Sequence, residues 1–219
     1  MNKQLCKRYL VFILGVLINS FGIGFITKAA LGTSPISSIP CVLSLKFRPT
    51  LGEFTFVMNM IFILLQVVLL RKKFQKIQFL QIVVNIIFSG FIDVSMFLLQ
   101  AFTPATYLTK LFSLLLGCAI LAFGIYLEVS ANVLMVPGEG IVAAIATVTY
   151  KEFGSVKVCF DVTLMLTATL LSLLFFHQFQ GIREGTVISA FIVGLIVKLY
   201  HKKLGFIKEY LCPQIKTVS

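Results

Sequence analysis

A chain of 219 residues with 58% hydrophobic and only 12% charged residues, and a mean hydropathy of +1.01, is too apolar for its size to hide its surface from water. That excludes a soluble globular domain. The net charge of +11 does not mark a nucleic-acid binder, because the Lys and Arg residues stand in short clusters between apolar runs, as positive flanks of membrane spans do.

The first apolar run covers residues 9–27, behind Lys3, Lys7 and Arg8. It is long for a signal-peptide core and no small-residue cleavage pattern follows, so an uncleaved first span is expected. A short run, 34–47, comes next, with Pro35 near its start, Thr33 or Ser34 as the expected cap, and Pro40 interrupting it. Runs 54–70 and 77–99 follow, separated by Arg71, Lys72, Lys73 and Lys76. Run 108–129 leads to a second short run, 137–150, which opens on Pro137. Runs 156–176 and 186–200 complete the series. Proline suits the first turn of a helix, where its missing N–H is not needed. Each short run spans only about 21 Å as a helix, against a hydrocarbon core of about 30 Å.

The sequence also repeats itself. Leu14-Gly15 matches Leu116-Gly117, Phe21-Gly22-Ile23 matches Phe123-Gly124-Ile125, and Ala29, Pro35 and Gly52 match Ala131, Pro137 and Gly154, all at one offset of 102. Asn59 then falls on Asp161. With two extra residues in the second copy, Asn85 falls on Ser189 and Gly90 on Gly194. A constant offset across Gly, Phe-Gly and Pro predicts a duplicated unit. The first copy covers about 8–100 and the second about 108–205 of a single membrane domain, 1–219, with 206–219 as a tail.

Charge sets the expected topology. If the short runs dip in and return, the dense 71–76 cluster and the tail lie on the same side as the N-terminus, which the positive-inside rule makes cytoplasmic. The predicted fold is therefore all-α: six transmembrane helices plus two short re-entrant or broken helices. The two repeated halves each make three crossings and so face opposite ways. Inverted repeats with discontinuous helices recur among transporters.

Candidate site residues cluster at the starts of the short helices. Helix N-termini present free N–H groups and partial positive charge, so two such ends aimed at mid-membrane would suit an anion or a carbonyl-rich solute. Ser34 and Ser37 would line one end, Gly138 and Glu139 the other. Glu139, in a Pro-Gly-Glu-Gly turn, contacts solute or coupling ion on this reading, and caps the helix on the plainer one. Asp161 is an intramembrane acid, costly enough to suggest function, though Lys157 at i−4 offers a simple ion pair. Asn59 is its repeat mate and otherwise serves as helix–helix glue. Glu128 closes the fourth span and is expected to face water. Asp93 is expected near the outer interface. Pro35 and Pro137 are expected as structural helix-start prolines, each in the first turn of its short helix.

Cys6, Cys41, Cys118, Cys159 and Cys212 are scattered singly, with no metal-ligand spacing, and His177 and His201 are isolated. Neither a metal, a cofactor nor a disulfide framework is expected. No nucleophile–base or phosphate-loop motif appears, so no catalytic residue and no enzyme activity is expected.

The motifs from Leu14 to Pro35 (L-G-x6-G-x8-L-G-T-S-P) and from Leu116 to Gly140 (L-G-x6-G-x6-A-N, then V-P-G-E-G) form a set with Phe153–Asp161 (F-G-S-V-K-V-C-F-D) and Gly181–Gly194 (G-x-x-E-G-T-V-I-S-A-x-x-V-G). This set, spread over residues 8–205, resembles the YczE/YyaS/YitT group of uncharacterised bacterial multi-pass membrane proteins. The resemblance implies a bacterial inner-membrane protein with duplicated halves, and no known substrate. Arg183 departs from the small residue that the pattern has there. The expected function is a transporter or permease for a small polar solute, with an anionic one included. The alternatives are a non-transporting scaffold or regulator, or the substrate-binding subunit of a larger importer. Expected partners are the lipid bilayer, the solute, no nucleic acid, and a second copy in a homo-oligomer.

Overall fold

The computed structural model describes residues 3–204; the expected tail at 206–219 and Cys212 lie outside them. Eight α-helices follow in order: α1 (Lys3–Lys28), α2 (Ser38–Lys46), α3 (Leu51–Leu70), α4 (Leu80–Leu98), α5 (Tyr107–Ala131), α6 (Pro137–Thr149), α7 (Phe153–Phe176) and α8 (Glu184–Lys203). Two 3-10 turns, Arg71–Lys73 and Lys76–Phe79, lead into α4, and the described residues contain no strand. Six of the helices are long and apolar enough to cross a membrane; α2 and α6 are the short ones expected from sequence.

Local chemistry sets several of these boundaries. Thr50 Oγ1 accepts from the Glu53 N–H at 3.1 Å while Glu53 Oε2 accepts from the Thr50 N–H at 2.9 Å. This reciprocal capping box starts α3 three residues ahead of the expected run. Pro137 occupies the first turn of α6 as predicted. The expected start of the other short helix is corrected: its N-cap is Ser37, not Thr33 or Ser34, because Pro35 to Ser37 close a turn before the helix begins. Pro35 thus lies outside the helix, and Pro40, expected to interrupt it, stands in its first turn, where a missing N–H is tolerated.

The centre of the bundle is the crossing of α1 and α5. A Cβ built on Gly22 would lie 2.6 Å from Leu121 N, one on Gly124 2.5 Å from Asn19 N, and one on Gly117 2.7 Å from the Ile26 side chain. Gly15 meets Glu128 and Gly124 at 2.9 Å in the same sense. Residue numbers rise along one helix as they fall along the other, so the two run antiparallel. Small residues let the backbones approach closely, which gains dispersion contact that lipid cannot supply. Phe12, Val16, Ile26, Leu114 and Cys118 are fully buried around this crossing.

Contacts at the helix ends decide where the short helices go. Gly24 of α1 packs on Ser95 of α4. Asp93 of α4 accepts from Thr50 Oγ1 (2.6 Å) and from the Gly52 N–H (2.8 Å) at the start of α3. The end of α1 and the start of α3 therefore lie at one end of the bundle, and α2 does not cross between them. Ser38, its first residue, donates to Leu164 O in the middle of α7 at 3.4 Å. Its last, Lys46, reaches Phe175 O near the end of α7 at 3.5 Å. The chain descends to mid-depth through residues 29–37 and returns as α2. At the opposite end Arg8 caps α5, donating to Ala131 O at 2.8 Å and also to Asn132 O, a cation placed where the helix dipole favours it.

Leu166, Leu170 and Leu174 on α7 and Phe191, Leu195 and Leu199 on α8 are exposed. A face this apolar is compatible with lipid, not with water. α4 packs against α1 as α8 packs against α5, and α3 packs on α6 as α7 packs on α2. The correspondence fails once: α3 lies along α4, whereas α7 and α8 enclose a groove lined by Val162, Leu166, Ile182 and Val187. Replacing Asp93 with Ala removes two charge-assisted hydrogen bonds between α3 and α4 and is expected to cost about 2 kcal/mol, read as a lower unfolding temperature in detergent.

Candidate functional site

A cavity of about 340 Å³ lies between α3, α4, α5 and α6. Leu70, Gln75, Ile77, Asn132 and Met135 stand at its rim, so it opens at the end of the bundle carrying Arg71, Lys73 and Lys76. Gln81 lines it, and Gln66 stands behind Gln81. Gln66 and Gln81, both fully buried, exchange hydrogen bonds of 3.1 and 3.2 Å between α3 and α4. Gln66 Nε2 also donates to Pro137 O at 3.3 Å, which seats the start of α6. A Cβ on Gly140 would lie 2.7 Å from Gln66 Oε1, so a larger residue there would push the Gln66 amide out of these bonds.

Two carboxylates line the cavity, Glu139 from the first turn of α6 and Glu128 from the last turns of α5. Glu139 Oε2 is buried without a hydrogen-bond partner. Glu128 is only 5% exposed, and its Oε1 accepts from Asn19 Nδ2 across the α1–α5 crossing at 2.9 Å. The expectation that Glu128 faces bulk water is corrected: Gly15 has no side chain, and the space it leaves takes the Glu128 side chain. Sequence alone gave one clue to this. Asn19 is an amide inside an otherwise apolar span, and such a group needs a partner.

Of the residues expected from sequence to contact a solute, only Glu139 lines this cavity. Ser34 Oγ donates to Ser37 Oγ at 3.1 Å, so the two satisfy each other locally. Asn59 Nδ2 donates to Asn85 Oδ1 at 2.8 Å, and Asn85 Nδ2 to Phe56 O at 3.0 Å, which ties α3 to α4. Asp161 pairs with Lys157 at 2.7 Å, one turn apart on α7. Gly138 packs on Ile36, where a Cβ would lie 3.0 Å from Ile36 Cδ1. The starts of the two short helices do approach each other there, but through apolar contact. Ile39, Val42, Phe62, Ile141, Leu164 and Ala168 form one buried cluster with Ile36 packed on it. The expected polar, anion-binding meeting of two helix N-termini is therefore corrected. β-Branched and aromatic side chains fill that space, and the polar cavity lies to one side.

The other end of the bundle is shut. The Gly185 N–H donates to Leu31 O at 2.8 Å and the Thr33 N–H to Thr186 Oγ1 at 3.1 Å. Ser189 Oγ donates to Thr33 O at 3.3 Å. Gly32 has φ +121, and a Cβ there would fall 2.3 Å from Thr186 Oγ1. The loop after α1 is thus latched to the first turn of α8. Cys41 is a free cysteine buried on α2, where it packs as a small apolar side chain. Among the described residues, no group of three His, Cys, Asp or Glu is placed to hold a metal.

Fold and cavity together define a multi-pass α-helical membrane protein with a carboxylate-lined recess. The family model described as Family of unknown function (DUF6198) matches residues 6–202, and the chain belongs to that family. No curated protein and no solved structure matches it.

Proposed function

We propose that the protein is a membrane transporter for a small polar solute, which enters the cavity from the end carrying Arg71, Lys73 and Lys76 and leaves by the opposite end. The observation that carries this reading is an asymmetry between matching places. At the sequence offset of the repeat, Leu31 and Gly185, joined in the latch, correspond to Val133 and Gln81, which both line the open cavity. Two copies of one unit, one shut and one open, are what a protein alternating between two accesses looks like when caught in one of them. The antiparallel α1–α5 crossing supports an inverted arrangement of the copies, since Gly15, Gly22, Gly117 and Gly124 are repeat mates that meet in reversed order. The positive-inside rule puts the open end and both termini on the cytoplasmic side. The YczE/YyaS/YitT resemblance adds a bacterial cell membrane. No catalytic role is proposed for any residue.

The test is solute-dependent flux. Purified protein in proteoliposomes with a trapped pH dye is challenged with amines, amino acids, sugars and carboxylates. Flux of at least one class is expected, lost in Glu139→Gln and retained in Asp161→Asn, whose carboxylate is already paired with Lys157. A second reading, a non-transporting scaffold, is favoured by the dry contact of Ile36 and Ile141 between the short helices. It takes over if no class on the panel moves.

A further inference from the structure

Two acceptor oxygens at the cavity are buried and take no hydrogen bond: Glu139 Oε2 and Gln78 Oε1. Both residues line it, as does Glu128, whose Oε1 is held by Asn19. No Lys, Arg or His is among the lining residues. Buried acceptors without donors are costly and rare, and each calls for an explanation. Here the shortage is one-sided, since the unpaired groups at the cavity are oxygen acceptors, and Lys157, the cation whose charge reaches Glu139, is already paired with Asp161. A ligand that completes it brings N–H donors and positive charge.

We propose that the cavity binds a small organic cation, an ammonium or guanidinium compound, with its charged head on Glu139 and Gln78 and with Glu128 strengthening the negative field. An anionic solute would meet two carboxylates in a recess of low polarity, where like charges repel strongly. A bare hard metal ion is also a poor match. It needs about six or more oxygen ligands, and no group of three acidic or metal-ligating side chains exists among the described residues. Ile77, Ile125, Val129 and Leu134 supply the apolar wall for a short hydrocarbon body. A volume of about 340 Å³ falls at the small end of ligand pockets. This inference names the solute class of the transport reading and rests on it for passage, but binding can be tested without passage.

Purified protein in detergent is titrated with butylammonium, butylguanidinium and butyrate, and thermal unfolding is followed. At least one of the two cations is expected to raise the unfolding temperature in a saturable way at millimolar concentration, and butyrate is not. Glu139→Gln is expected to weaken cation binding about tenfold or more, and Gln78→Leu to weaken it as well. Glu152→Gln, which removes an exposed carboxylate that does not line the cavity, leaves it unchanged. If Glu139→Gln fails to fold, Glu139→Asp and Gln78→Leu carry the comparison. The proposal is overturned if neither cation stabilises the wild type, if butyrate does so equally, or if the cavity variants bind as the wild type does. Cation binding lost in the cavity variants, with no solute flux in proteoliposomes, would keep this site and remove the transport reading. Flux of sugars or carboxylates without cation binding would do the reverse.

Discussion

Valine at Gly22 or at Gly124 is expected to leave little folded protein. A Cβ on either would sit 2.5 to 2.6 Å from a backbone nitrogen of the partner helix, and backbone cannot rotate away as a side chain can. Overpacking a close interior costs about 1–3 kcal/mol when side chains can yield, and here the whole α1–α5 crossing must widen. Asn19 would then be drawn away from Glu128, exposing a buried carboxylate to an apolar surround, which adds to the penalty. The result expected is a collapse of monodisperse yield in detergent. Alanine at Gly90, Gly154 or Gly194 meets nothing within 4 Å, and each is expected to be neutral or slightly stabilising through helix propensity, by at most about 1 kcal/mol. Equal behaviour of the two sets would show that α1 and α5 are not in close contact.

On the transport reading proposed above, locking the closed end is expected to stop flux almost completely. Thr33 and Thr186 are joined by a 3.1 Å hydrogen bond between the loop after α1 and the first turn of α8. With Thr33→Cys and Thr186→Cys together, oxidation or a short thiol cross-linker would fix that latch covalently. Flux in proteoliposomes should fall to background on cross-linking and return on reduction, while each single cysteine variant keeps flux under the same oxidant. The cross-linked protein should still bind cations from the open end, because the cavity lies beyond the latch. Undiminished flux in fully cross-linked protein would show that this end need not open.

The number and type of elements could be read from the sequence because lipid imposes a simple rule. A helix must be long and apolar to cross, so the six runs stand out, and the two short ones fail the length test visibly. Boundaries were less legible. α3 begins at Leu51 because Thr50 and Glu53 cap each other, a four-residue signal hidden beside a stronger apolar one. The site was legible only in part. Glu139 was conspicuous, as an acid at the start of a short helix. Glu128 looked like an interfacial acid, since what buries it is the missing side chain of Gly15 more than a hundred residues away. Asp161 looked functional because it is charged, and the plainer alternative, Lys157 one turn back, is what the structure has. Polarity at the short helices misled in the same way. Ser34 and Ser37 satisfy each other, which leaves Ile36 to make the inward contact.

The short helix α2 packs chiefly on α3 and on α7, and α7 emerges from the ribosome more than a hundred residues later. Likewise α3 leans on α6, and α1 finds its largest partner in α5. The first half therefore enters the bilayer with buried hydroxyls and a descending loop still uncovered, in a medium that offers no water to satisfy them. Biogenesis has to shelter that intermediate until its complement is made, and a chain severed near residue 103 should survive only when both fragments are produced together.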